Sequence, residues 1–142
     1  MVGKLPRSER SFIFNNPDLP VTRDAFKTMS GELRQIREVC ERHSAKTVFV
    51  NMPNSEFTGH RVVRMPTDVL NVYLMENNRI DSMYRKLAAD NGMDYIELTG
   101  HFLRLTPKDS FFFKYDGHPN LRGYEEIAGY VSEELIRKGY LK

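Results

Sequence analysis

The chain has 142 residues, one domain by size and long enough to bury a core. Hydrophobic residues make up 40% and charged residues 28%, an ordinary globular balance. A net charge of +2 is too small to imply nucleic acid or an anionic membrane as partner.

No stretch approaches the roughly eighteen apolar residues of a membrane span. The start Met1-Val2-Gly3-Lys4-Leu5-Pro6-Arg7 has no signal-peptide core. The expectation is a soluble chain whose compartment is open, since the lone Cys40 allows no internal disulfide. Cys40 falls in an expected helix and reads as a buried, inert thiol.

Residues 1–10 are polar and read as an N-terminal arm. Ser11-Phe12-Ile13-Phe14 is a short apolar run stopped by Asn15-Asn16-Pro17-Asp18, a strand followed by turn residues. Thr22 or Asp24 offers a cap for the next segment. There Phe26, Met29, Leu33, Ile36, Val39 and Cys40 mark one face of a helix to about His43. Arg34, Arg37, Glu38, Glu41 and Arg42 make its solvated face. Thr47-Val48-Phe49-Val50-Asn51-Met52 is β-branched and apolar, and Pro53 ends it as a strand. A polar loop with Gly59 and His60 follows. Thr67 or Asp68 then opens a long helical stretch to about Asn91, with an irregularity near Asn77-Asn78 and Asn91-Gly92 as its C-terminal stop. Asp94-Tyr95-Ile96-Glu97-Leu98 is the next strand, and Phe102 to Leu105 a short helical turn. The order β-α-β-α-β-α implies parallel strands with right-handed crossovers. In such sheets ligands collect beyond the carboxyl ends of the strands. That puts Asn15-Asn16, Asn51 to Ser55, Thr99 to His101 and Asp116 to His118 along one rim.

The most informative stretch is Phe111-Phe112-Phe113-Lys114-Tyr115-Asp116-Gly117-His118-Pro119-Asn120. An aromatic run stops at an acid, a glycine and an imidazole. Asn120 is then placed to cap a new helix, whose Tyr124, Ile127, Ala128, Val131 and Leu135 recur on one face. A carboxylate beside an imidazole is what general-base chemistry needs: the acid fixes the tautomer and stabilises the charged ring. Gly117 lets the backbone bend so that both can face one cleft. Taken alone, Asp-Gly is also a common turn pair, and a histidine before proline is commonly a solvated loop residue.

Residues 115–128, Tyr-Asp-Gly-His-Pro-Asn-Leu-Arg-Gly-Tyr-Glu-Glu-Ile-Ala, resemble the last block of the SGNH (GDSL-type) hydrolases. There an Asp and a His precede a Pro-Asn, a Gly and an Ile-Ala on the closing helix. The resemblance implies a three-layer α/β/α, flavodoxin-like fold with a parallel sheet. It also implies esterase, lipase, carbohydrate-deacetylase or related acyl-transfer chemistry; no cofactor and no metal is expected. Asp116 matches the triad acid and His118 the base. Many members separate the two by two residues; this chain has one, a variant associated with some acetyltransferase-like branches. The substrate class implied is a small acyl ester or an acylated carbohydrate.

The sequence contains no Gly-Asp-Ser, the block that carries the family's nucleophile. Asn16, in Asn16-Pro17-Asp18, is the nearest counterpart of the family's oxyanion Asn, without its glycine. The nucleophile is unassigned: Ser55 lies beyond a strand, but a loop serine is far commoner than a nucleophile. The chain is therefore expected to match about the last two-thirds of such a domain, as a truncated or degenerate relative, and to be inactive alone. A competing expectation is a non-catalytic α/β module that dimerises through an exposed sheet edge. A metal site from His60, His101, Asp116 and His118 is disfavoured, because no pair has zinc-ligand spacing.

Overall fold

Helix α1 (Pro20–Arg42) begins two residues before the first side chain expected to cap it. Its N-cap is Leu19 in extended conformation, with no side-chain cap. Pro20 replaces that cap in two ways: its ring presets the helical φ, and it has no N–H to satisfy. Thr22, a cap candidate in the sequence, is instead fully buried within the first turn. The computed structural model describes residues 16–52, 55–58, 78–105, 111–113 and 117–142. The arm, the expected strand at 11–14 and the expected helix start at Thr67 or Asp68 lie outside these residues.

The described residues combine helices with a small parallel two-stranded sheet, so the chain is of mixed α/β type. Two compact units divide it: Met1–Asn51 with Glu76–Tyr95, and Met52–Met75 with Ile96–Lys142. No helix among the described residues is long and apolar enough to cross a membrane.

In the first unit α1 is followed by strand β1 (Val48–Asn51), helix α2 (Ile80–Asp90) and the start of strand β2 (Asp94–Glu97), which pairs with β1. Aromatic rings tie these elements together. Tyr84 of α2 meets Phe26 of α1 at 5.3 Å and Phe49 of β1 at 5.7 Å between ring centroids. Phe49 in turn stacks on Tyr95 of β2 at 5.9 Å, and the Arg85 guanidinium lies 5.4 Å over Tyr95. Such pairs each add roughly 0.5–1.5 kcal/mol beyond the area they bury. The α1 stripe is only partly as expected. Phe26, Met29, Leu33 and Cys40 are half-buried, but Ile36 and Val39 are exposed and Arg37 takes the half-buried position between them. Asn78, at the expected irregularity, donates from its carboxamide to Asp81 in the first turn of α2 (2.6 Å).

Three helices end by one device: a left-handed residue just past the cap, whose N–H and the next one close back on the last turn. Gly92 (φ 64°) serves α2, as Asn91-Gly92 predicts, and Gly139 (φ 76°) serves the last helix. At the end of α1 a serine, Ser44, holds that position at φ 56°. Its N–H donates to Glu41 O (3.0 Å) and the N–H of Ala45 to Cys40 O (2.9 Å).

In the second unit, helix α3 (Thr99–Arg104) starts three residues before the expected turn at Phe102. The reason is local: the Glu97 carboxylate accepts the Gly100 N–H at 2.6 Å and satisfies an N–H of the first turn. Phe102 is fully buried, and Phe111 and Phe112 meet its ring at 5.7 and 5.3 Å. Helix α4 (Leu121–Arg137) closes the chain. Its inward face departs from the expected stripe: Ile127 is buried, but Tyr124 and Ala128 are exposed and Gly123 faces inward.

Candidate functional site

The segment carrying His118 is built by a tight reversal of the backbone. Phe112 and Pro119 form an antiparallel bridge, flanked by Phe113 N–H to His118 O (2.8 Å) and Asn120 N–H to Phe111 O (3.0 Å). Gly117, at φ 71°, donates to Phe113 O (3.2 Å) and turns the chain back in a conformation that a side chain would oppose. Phe111 and Phe112 are buried while Phe113 points outward, 55% exposed. His118 is exposed, one residue past the left-handed glycine. Asp116 lies outside the described residues.

Asn120 caps α4 as its sequence position predicts: its Oδ1 accepts the Gly123 N–H at 3.0 Å, and its Nδ2 donates to Phe112 O at 3.4 Å. One side chain thus fixes both the helix start and the strand-like segment before His118. Gly123 completes the junction. A Cβ there would run into the Phe111 carbonyl oxygen and come within 3.0 Å of the Pro119 Cβ. The Arg122 guanidinium covers the Phe111 ring at 4.7 Å. Four members of the Gly-His-Pro-Asn-x-x-Gly run therefore hold the backbone that presents the fifth, His118.

A different histidine and acid come together in the same unit. The Nε2 of His101, on α3, lies 2.7 Å from the Glu126 Oε1 of α4. The imidazole stacks on Tyr130 at 4.0 Å between centroids with 20° between planes, and its edge meets Phe102 at 5.8 Å. The ring is mostly buried and Glu126 about a third exposed. An oriented His–carboxylate pair has the parts of a general base. Here the packing on two aromatic rings makes it first a clasp between α3 and α4. Twenty-five positions separate the partners, so no local spacing announced them.

Several other expected rim residues are committed to structure, while Asn15, Pro53 and Asn54 lie outside the described residues. Asn51 donates to the Asp81 carboxylate (2.7 Å), tying the end of β1 to the first turn of α2. Asn16 accepts the Asp18 N–H on its Oδ1 (3.1 Å), a turn of the type its sequence favours. An oxyanion would need the other end of that carboxamide, since only the NH₂ donates. Thr99 is buried at the start of α3. Ser55 is fully buried, and its hydroxyl has no hydrogen-bond partner among the described residues. A nucleophile requires a base within about 3 Å, and Ser55 has none bonded to it. Burying that hydroxyl unpaired costs about 1–3 kcal/mol. Among the described residues no three His, Cys, Asp or Glu side chains are grouped to hold a metal ion.

No protein family, curated protein or solved structure matches the chain.

Proposed function

We propose that the chain is an SGNH-type acyl-ester hydrolase or acyltransferase-like domain of three-layer α/β/α, flavodoxin-like architecture, with His118 as base and Asp116 as its orienting acid. The supporting observation is the junction itself. His118 is exposed, follows a left-handed Gly117, and is held by the Phe113 backbone beside the capped start of α4. In that role the Asp116 carboxylate accepts the Nδ1–H of the ring and fixes its tautomer. Nε2 then takes the proton of an attacking hydroxyl and returns it to the leaving alkoxide. The acyl group passes to the nucleophile, then to water or a second acceptor. The substrate is a small acyl ester or acylated carbohydrate. The nucleophile is unassigned, because no Gly-Asp-Ser is present and Ser55 has no base bonded to it.

The chain alone is accordingly inactive. With p-nitrophenyl acetate it gives no turnover above buffer, and a fluorophosphonate probe labels no serine. Turnover lost in His118→Ala, together with labelling of Ser55, would overturn that statement and make this chain a complete enzyme. A second reading is a non-catalytic binding module that self-associates. It is favoured by apolar side chains exposed around the same junction: Phe113, Tyr124 and above all Leu121, 74% exposed. Light scattering that finds a monomer at high concentration contradicts it.

A further inference from the structure

The first unit contains a cleft of about 360 Å³ that the acyl-transfer reading does not use. It lies between α1 and α2, and Phe26, Met83 and Leu87 give it an apolar floor. Ser30 and Asn91 hydrogen-bond to each other beside it (3.0 Å from Asn91 Nδ2 to Ser30 Oγ). Ligand cavities commonly span roughly 300–1,000 Å³, so this one suits a small ligand.

Its charges are one-sided. Arg23, Lys27 and Lys86 line the cleft against the single carboxylate of Asp90. Asp90 is already spent: both its oxygens accept from Lys86 Nζ, at 2.9 and 2.8 Å. Arg23 uses one nitrogen on the Asp18 carbonyl (3.0 Å) and keeps its full charge, since a carbonyl does not neutralise it. Lys27 has no ion-pair or hydrogen-bond partner among the described residues. A cation without an acid, at the lip of an apolar cleft, favours an anion that carries an apolar tail.

We propose that this cleft binds an alkyl carboxylate of medium chain length, with the tail on Phe26, Met83 and Leu87 and the head on Lys27 and Arg23. The proposal is independent of the acyl-transfer reading, since neither His118 nor Asp116 belongs to this unit.

The test is titration of the ¹⁵N-labelled chain with octanoate below its micelle concentration, followed by amide shifts. Saturable shifts are expected at Phe26, Ser30, Met83 and Leu87. Octanol, which lacks the charge, should bind about tenfold more weakly, and octylammonium should not compete. Lys27→Glu should weaken octanoate about tenfold, while Lys27→Arg should bind it like the wild type. Lys27 is exposed, so both variants are expected to fold, with circular dichroism as the check. Shifts that do not saturate, shifts confined to other residues, equal affinity for octanol, or full octanoate affinity in Lys27→Glu would each overturn the proposal.

Discussion

The junction that presents His118 makes a prediction of sign, not only of size. Replacing an exposed mid-helix glycine by alanine ordinarily stabilises a helix by about 1 kcal/mol, because alanine has less conformational freedom to lose. At Gly129 of α4 nothing lies within 4 Å of an added Cβ, so Gly129→Ala should stabilise by about 0.5–1 kcal/mol. Gly123 sits six positions earlier in the same helix, but its added methyl would meet the Phe111 carbonyl and the Pro119 ring. The carbonyl is backbone and accepts the Asn120 N–H, so it cannot retreat without disturbing the bridge beside His118. Overpacking of this kind costs about 1–3 kcal/mol, and loosening the Asn120 cap costs about 1 kcal/mol more. Set against the propensity gain, Gly123→Ala should destabilise by about 1–3 kcal/mol. Urea unfolding of both variants reads the difference directly. A Gly123→Ala protein as stable as the wild type, or two variants shifting in the same direction, would refute the reasoning.

Ser44 should prefer to be glycine. A left-handed L-residue costs about 1–2 kcal/mol, of which glycine's freedom in the unfolded chain returns about 0.5–1 kcal/mol. Ser44→Gly should therefore raise the thermal midpoint by a few degrees, and a lowered midpoint contradicts the motif. Tyr84 carries a pH signature: burial among Phe26 and Phe49, aided by the Asp81 charge, raises its phenol above the ordinary 10.0. The native state thus holds that proton more tightly than the unfolded chain. Its contribution is complete below about pH 10 and is lost as pH rises beyond it. Tyr84→Phe should lose less stability than the wild type between pH 9 and pH 11 in urea titrations, and a greater loss would reverse the sign. For the clasp of α3 and α4, His101→Phe keeps the ring on Tyr130 and removes the bond to Glu126, at a cost of about 1 kcal/mol. His101→Ala loses the stack as well and should cost roughly 1 kcal/mol more, so equal losses would mean that the stack contributes nothing.

Much of the fold was legible because local chemistry set it. The β-branched run Val48-Phe49-Val50, the Asn91-Gly92 stop and the Asn120 cap each specify their own backbone, and each appears where its residues predict. The start of α1 was not legible from side chains, since an extended Leu19 and the Pro20 ring replace the cap sought at Thr22 or Asp24. The apolar stripe misplaces the inward face of α4 at Tyr124, because a glycine marks the closest approach. A stripe of apolar side chains cannot register a residue chosen for having none. His101 and Glu126 met through tertiary packing, which no spacing encodes. At the candidate site, the turn at Gly117 and the cap at Asn120 were readable in advance. The pairing of Asp116 with His118 rests on the resemblance of their block.

The partnership of those two side chains is best measured by long-range ¹H–¹⁵N correlation of the His118 ring at about pH 9, where an ordinary imidazole is neutral. An orienting Asp116 should hold the proton on Nδ1 and leave Nε2 as the basic nitrogen, and Asp116→Asn should release the ring to exchange between both tautomers. A ring already exchanging in the wild type, or one indifferent to Asp116→Asn, would contradict the assignment of His118 as an oriented base.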